Sequence, residues 1–322
     1  MVGAKAVLIT GMPDAVNRQI AGYAPEGFVT TILSHQDPDD ETVDALRDAD
    51  FLLIHPGEIS ERVVRSATKL KLIQLLRAGH ELMDVGLLRE LGIPFANPGD
   101  AFAAIVADHT VMLLLALYRN LVISNAVTKA GRWAEPTYGL NAFEMEDKLV
   151  GILGLGTIGR QVAKCLGGFG CKVQYFSRHA LPEEQELALN VRRVSLHELF
   201  TSSDIVTVHV PLTSETEGMV GKSELALMKP SAILINTSRG QVIDEPALIE
   251  ALQKKRIAGA GLDVFEPQPP DPSNPLLKMD NVVATPHSAS AAVEKWPRTA
   301  QFAWRNVQRV WEGQPPQALI TE

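Results

Sequence analysis

Cysteine is scarce in this chain: only Cys165 and Cys171 occur in 322 residues. That excludes a scaffold built on disulfides, and no metal-binding cysteine spacing is present, so no metal is expected. Both read as small buried hydrophobes, one within a helix and one entering a strand. Positive charge is also short, with 30 Lys and Arg against 38 Asp and Glu and a formal charge of −8. Such a balance argues against a nucleic-acid partner, whose phosphates call for a basic face. Long hydrophobic runs are missing too. The greasiest stretch, Val111–Leu117, lies between Asp108-His109 and Arg119 and is too short to span a bilayer, so it reads as a buried helix. The N-terminus, Met1-Val2-Gly3-Ala4-Lys5, runs straight into an apolar strand without a signal-peptide pattern, and a cytoplasmic protein is expected. Internal repeats, low-complexity runs and long disordered linkers are absent. What remains is an ordinary globular composition, long enough for two cores.

The first hundred residues alternate short apolar runs with helical patterns. Ala6–Ile9, Val29–Leu33, Phe51–Ile54, Leu72–Leu75 and Ile93–Ala96 read as strands. Glu41–Arg47, Glu61–Ala67 and Met83–Glu90 read as the crossover helices, which implies a parallel, doubly wound sheet. A long helix is expected from about Ala103 to Lys129, followed by the polar stretch Gly131–Asn141. A second alternating series begins at Leu149, with later strands at Ile205–Val210, Ala232–Ile235, Ala260–Val264 and Val282–Ala284. The segment Ala291–Gly313 returns to helix and carries Trp296, Phe302, Trp304, Val307 and Trp311, a face that needs the first domain to pack against.

Within the second series, the apolar run Leu149–Leu153 is followed by Gly154-Leu155-Gly156-Thr157-Ile158-Gly159. In a strand-turn-helix of this kind the first glycine permits the tight turn. The second lets the backbone approach a pyrophosphate, and the third lets helix and strand pack closely. The helix N-terminus, at Thr157 and Ile158, then offers free N–H groups to the anion. Ile158, Val162, Cys165, Leu166 and Phe169 repeat at helical spacing and Lys172–Phe176 reads as the next strand, the context a dinucleotide fingerprint requires. The expected α/β fold is therefore two doubly wound parallel-sheet domains. A flavodoxin-like substrate domain takes 1–101 and 290–322, a Rossmann cofactor domain takes 102–289, and a cleft separates them.

Ligands of open parallel sheets gather at the carboxyl ends of the strands. Thr237-Ser238-Arg239 follows one strand, Asp263 ends the next, and Thr285-Pro286-His287 follows the one after. An arginine, an acid and a histidine on one edge, beside a nucleotide-binding turn, form a catalytic constellation.

These segments closely resemble the D-isomer-specific 2-hydroxyacid dehydrogenases, a family that includes D-lactate, glycerate, phosphoglycerate, phosphite and formate dehydrogenases. The resemblance runs through Leu75–Asp84, Asn97–His109, Leu149–Arg160, Val206–Thr216, Asn236–Gly240, Gly261–Pro269 and Thr285–His287. It implies that Arg239 clamps the substrate's carboxylate and carbonyl with its planar fork of donors. It implies that His287 passes a proton to the carbonyl oxygen as hydride arrives, and that Asp263 holds the nicotinamide carboxamide. Backbone N–H groups of Ala78 and Gly79 would bind the substrate carboxylate, with Leu76, Phe102 and Trp296 as an apolar wall. His209, Pro211 and Thr216 would lie along the cofactor, as would Thr237 and Ser238. A homodimer built through the cofactor domains is implied as well.

Two departures stand out. Gln268 occupies the position where the family usually carries a glutamate, and a neutral amide orients the histidine without supplying the same electrostatic support. Formate dehydrogenases share that glutamine, and formate oxidation needs no general base. Phe102, however, replaces their substrate-binding asparagine. The second departure follows the strand Lys172–Phe176, which ends in Ser177-Arg178 instead of the acid expected about 20 residues past the glycines in NAD-preferring proteins. NADP(H) is therefore expected over NAD(H), although Arg178 stacked on adenine would serve either cofactor. Arg77, beside Ala78, reads as an extra cation for a second anionic group or as a solvated loop residue. The expected activity is NAD(P)-dependent reduction of a small 2-ketoacid, such as glyoxylate or hydroxypyruvate, to the D-2-hydroxyacid. The alternatives are a dehydrogenase of a formate-like substrate and a nucleotide-binding sensor or corepressor.

Overall fold

In the computed structural model, which describes residues 3–133, 140 and 142–321, the chain packs as two compact units. One comprises Met1–Phe102 with Ala292–Glu322, the other Ala103–Ala291. The crossings, expected after residues 101 and 289, fall after Phe102 and Ala291.

The first unit holds a parallel sheet of β1 (Lys5–Thr10), β2 (Val29–Ser34), β3 (Phe51–His55), β4 (Leu72–Leu75) and β5 (Phe95–Ala96), in the order β2-β1-β3-β4-β5. Helices α1 (Asp14–Ala21), α2 (Asp39–Leu46), α3 (Glu61–Ser66) and α4 (Val85–Glu90) make the crossovers. Strands covered on both faces lose the polar alternation of a one-sided sheet, and every residue from Phe51 to Ile54 is accordingly at most 1 % exposed. Ser60 and Asp84 cap α3 and α4 by accepting from Val63 and Leu87 N–H. The aromatic C-terminal helix is α12 (Lys295–Trp311). Ala300, Ala303, Trp304 and Val307 recur at helical spacing and all are buried. Trp304 donates its indole N–H to Ile20 O at 2.7 Å; burying such a ring contributes roughly 3–5 kcal/mol on the scale of Trp→Ala substitutions. Asn306 ties the same helix to the sheet, its Nδ2 donating to Gln74 Oε1 at 2.7 Å.

The second unit opens with α5 (Ala103–Tyr118) and α6 (Leu121–Lys129). The single helix expected over 103–129 is thus two, bent by 64°. The break falls at Asn120, whose φ of 49° is left-handed, a conformation that asparagine tolerates better than most residues. Of the polar stretch 131–141, residues 134–139 and 141 lie outside the described residues. A seven-stranded parallel sheet follows: β6 (Leu149–Leu153), β7 (Lys172–Phe176), β8 (Val191–Arg193), β9 (Ile205–Val208), β10 (Ile233–Asn236), β11 (Gly259–Leu262) and β12 (Val282–Ala284). Its order is β12-β11-β10-β9-β6-β7-β8. Helices α7 (Thr157–Gly167), α8 (Glu183–Leu189), α9 (Leu196–Ser202), α10 (Lys222–Leu227) and α11 (Glu245–Gln253) connect the strands. Val162 and Leu166 of α7 are fully buried in one core cluster with Leu113 and Leu114 of α5. Cys171 packs in that cluster and burial pushes its thiol up to about 11, while burial also raises Cys165. No single described helix is long and apolar enough to cross a membrane.

Candidate active site

Two of the tasks expected of the glycines in the turn between β6 and α7 are visible, the tight turn at Gly154 and the close packing at Gly159. Gly154 has φ +97° and its N–H donates to Phe176 O at 2.9 Å, so the strand end is locked to β7. A Cβ at Gly159 would stand 2.3 Å from Gly154 O, closer than any side chain allows. One built on Gly156 would meet nothing within 4 Å. Gly156 and Thr157 are exposed, and the first N–H groups of α7 have no partner within the helix. This is a cradle open to an anion, and it fits the pyrophosphate of a dinucleotide. His209, just beyond β9, adds a second feature that fits a polar group of such a cofactor. Its Nε2 is buried without a hydrogen-bond partner among the described residues, and burial pushes its pKa down to about 3, so the ring is neutral. The following loop folds on itself: Thr216 Oγ1 donates to Pro211 O at 2.6 Å and accepts from Thr213 N–H at 2.8 Å.

At the end of β7, Arg178 is less free than its sequence context implies. Its Nη1 lies 3.3 Å from Glu215 Oε2, an acid brought in by the loop after β9. Arg193, on β8, joins the group from the other side, with Nη2 donating to the carbonyls of Ser177 at 3.0 Å and Arg178 at 3.2 Å. Sequence reasoning missed Arg193 because the three-residue β8 carries no periodicity long enough to read.

The carboxyl ends of β10, β11 and β12 bring the acid–base residues together. Asn236 shapes the first loop: its Nδ2 donates to Arg239 O, while its Oδ1 accepts from both the N–H and the hydroxyl of Ser238. Arg239 donates Nη1 to Ser238 O at 2.7 Å. Thr237 is buried, its hydroxyl 3.0 Å from that of Thr110. The next residue, Gly240, packs against Phe265 so closely that a Cβ would sit 2.2 Å from Phe265 O, which sets the arginine loop directly on the segment carrying Asp263.

Asp263 is 1 % exposed and its carboxylate is taken up within the unit. Oδ1 accepts from the Thr285 hydroxyl at 2.6 Å and Ser288 N–H at 2.8 Å, and Oδ2 accepts from Ala289 N–H at 2.8 Å. Its main-chain carbonyl accepts from His287 N–H at 2.8 Å. Those bonds hold His287 in a left-handed conformation, φ +51°, which a non-glycine residue keeps only when its surroundings insist. Asp263 thereby positions the histidine, a task sequence reasoning had not assigned to it. His109 of α5 completes the arrangement, its Nε2 2.9 Å from Thr285 Oγ1 and 3.5 Å from Asp263 Oδ1. Helical periodicity around His109 gave no sign of where its ring points.

His287 Nδ1 lies 2.8 Å from Gln268 Oε1. Nδ1 therefore carries the proton donated to the amide oxygen, and Nε2 is the nitrogen that exchanges a proton with a substrate. Gln268 is thus the ring's partner at Nδ1.

In the first unit, the loop after β4 carries Arg77, Ala78 and Gly79. Among the described residues, neither the Ala78 nor the Gly79 N–H donates a backbone hydrogen bond, and Asn97 steadies the loop by donating to Ala78 O at 3.3 Å. Leu76, expected in the apolar wall of the pocket, lies elsewhere. Its side chain is 0 % exposed, packed in the core cluster that holds Trp304, and it forms no pocket wall. Phe102 is 6 % exposed.

Residues 111–289 match the family model described as "D-isomer specific 2-hydroxyacid dehydrogenase, NAD binding domain". A glyoxylate reductase of Thermofilum pendens is 38 % identical over 286 residues, covering 88 % of this chain and 84 % of its own. The holo form of Rhodotorula graminis D-mandelate dehydrogenase superposes with a TM-score of 0.88 at 26 % identity, covering 100 % of this chain and 99 % of that one. An acyclic imino acid reductase (Bsp5), solved in complex with NADPH and D-Arg, superposes with a TM-score of 0.84 at 27 % identity, covering 98 % and 100 %.

Proposed function

Because the chain belongs to the D-isomer specific 2-hydroxyacid dehydrogenase family, we propose that it reduces a small 2-ketoacid to the D-2-hydroxyacid with a nicotinamide cofactor, NADPH in preference to NADH. Glyoxylate and hydroxypyruvate are the first substrates to try, given its likeness to glyoxylate reductases. The observation that carries the reading is His287, held by Asp263 through its backbone and by Gln268 through Nδ1, on the strand edge that also carries Arg239.

The bound nicotinamide supplies the hydride. Arg239 grips the carboxylate and carbonyl oxygen. Protonated at both nitrogens, His287 gives its Nε2 proton to the carbonyl oxygen as the carbonyl carbon gains the hydride, and Gln268 keeps the ring in line. Preference for NADPH rests on the Ser177 hydroxyl and the Arg178 and Arg193 guanidinium groups, which offer donors to a 2′-phosphate at the end of β7. Glu215 opposes them by pairing with Arg178. NADPH is the cofactor in the Bsp5 complex.

The reading includes a homodimer. Helix α6 buries none of its nine residues, although Leu121 and Val122 are apolar and more than half exposed. A groove of about 290 Å³ runs beside it, lined in part by Tyr118, Phe143 and Val283. A second copy of the chain covers such a surface. Light scattering tests it: a dimeric mass is expected, and Leu121→Asp should give a monomer.

For the activity, initial rates with NADPH and NADH against glyoxylate, hydroxypyruvate, pyruvate, phenylpyruvate and 2-ketoisocaproate decide. Turnover favouring NADPH is expected. Tight nucleotide binding without turnover on any ketoacid would replace the reductase with a binding role.

A further inference from the structure

Helix α5 lies on β11 with its side chains in step with the strand. Leu117 stands over Gly259, where a Cβ would lie 3.4 Å from Leu117 Cδ2. Leu113 stands over Gly261, where a Cβ would lie 3.1 Å from Leu113 Cβ. Alternate strand residues share a face, so the row of Gly259 and Gly261 continues to Asp263. Leu117 and Leu113 are one helical turn apart, and the next residue of their row toward the N-terminus is His109. Four helical residues rise about 6 Å and two strand residues about 6.6 Å, so the two rows keep pace and His109 comes to rest at Asp263. Its Nε2 is 3.5 Å from Asp263 Oδ1, and its side chain is 13 % exposed.

Counting protons fixes the direction of the bonds. Thr285 has one hydroxyl proton, and it goes to Asp263 Oδ1 at 2.6 Å. In the 2.9 Å contact between Thr285 Oγ1 and His109 Nε2 the imidazole N–H is therefore the donor. The chain runs from His109 Nε2–H through the Thr285 hydroxyl to Asp263 Oδ1, each bond polarising the next. Thr110 repeats the logic on a second loop. It is fully buried and gives its proton to Val106 O at 2.8 Å, so in its 3.0 Å contact with the Thr237 hydroxyl it accepts. Thr237 opens the loop that carries Arg239, and Thr285 opens the turn that carries His287. We propose that His109 and Thr110 are positioning residues through which α5 aligns His287 with Arg239. His109 acts through Thr285, holding that hydroxyl with its proton toward Asp263. Asp263 in turn holds the N–H groups of His287, Ser288 and Ala289. The part His109 plays in proton transfer rests on the ketoacid reading above; the chain of bonds does not.

The test compares His109→Phe, which keeps a ring and loses the donor, with His109→Gln, whose amide N–H can take the place of Nε2–H. Ketoacid reduction is measured per site titrated with NADPH, so that unfolded protein is not counted. His109→Phe should lower kcat by about tenfold, the worth of one hydrogen bond in a buried network, with little change in KM. His109→Gln should recover most of that loss. Adding His109→Phe to Thr285→Val should cost nothing further, because the imidazole acts through that hydroxyl. Ring-nitrogen NMR gives a readout without turnover. His109 should carry a proton on Nε2, and the His287 ring resonances should move in His109→Phe and return in His109→Gln. Those movements in a protein that reduces no ketoacid would support the positioning role and remove only the ketoacid reading. Wild-type kcat with unmoved His287 resonances in His109→Phe, or losses in His109→Phe and Thr285→Val that simply add, would overturn the positioning role and leave the reductase standing.

Discussion

Replacing Gln268 with glutamate changes one atom type at the ring of His287 and turns a neutral acceptor into an anion. The amide oxygen sits 2.8 Å from His287 Nδ1, and the carboxylate oxygen of Gln268→Glu would take that place. An opposite charge this close raises a histidine pKa by about 1–3 units. Both side chains are exposed, so water and salt screen the pair and the low end applies, about one unit. The sign follows from the protonated ring being the proton donor. A raised pKa keeps the proton on the imidazole to higher pH, so the alkaline limb of kcat/KM for ketoacid reduction moves up by about one pH unit. In the oxidative direction the neutral ring is required, and the acidic limb moves up by the same amount. The assay is a pair of pH–rate profiles at fixed ionic strength, repeated at high salt, where the displacement should shrink. Gln268→Ala serves as control, since it loses the orienting bond and gains no charge: its rate should fall without an upward shift. A Gln268→Glu profile superimposable on the wild type would refute the claim that the Nδ1 partner sets the basicity of the catalytic ring.

Gly159→Ala drives a methyl to 2.3 Å from Gly154 O; a loss of roughly 1–3 kcal/mol and weaker NADPH binding are expected, read by thermal melting and fluorescence titration. Asp263→Asn turns an amide NH₂ toward a donor at one carboxylate oxygen, and losing one or two bonds to a charged acceptor costs about 3 kcal/mol. That lowers Tm by roughly 6–12 °C, with kcat falling more than KM rises as His287 leaves its place. Arg193→Ala should lower the ratio of kcat/KM for NADPH over NADH by about tenfold, while Glu215→Ala, which releases Arg178, should raise it.

The parallel sheets were legible because buried strands such as Phe51–Ile54 and Ile233–Asn236 are short apolar runs with turn residues at both ends. The glycine turn was legible for a different reason, since each glycine answers to a separate local constraint. Arg239, Asp263 and His287 could be placed at one sheet edge by counting residues past three such runs. Contacts that reach across the chain were not legible. Nothing local to Asp263 reveals that its carboxylate accepts from Thr285, Ser288 and Ala289. Nor does Ser177-Arg178 foretell Glu215, 37 residues from Arg178. Leu76 lay next to a binding loop and was read as pocket wall, yet its alternating phase turns it into the core beneath α12. The kink at Asn120 was hidden because apolar residues resume at Leu121 directly after the short polar step Arg119-Asn120.

Product configuration tests the central claim most directly. The protein would be supplied with NADPH and pyruvate or phenylpyruvate, and the hydroxyacid separated on a chiral column and counted against NADPH consumed. One D-2-hydroxyacid per NADPH is the predicted result. An L or racemic product, or nucleotide bound tightly with no hydroxyacid formed, would contradict it.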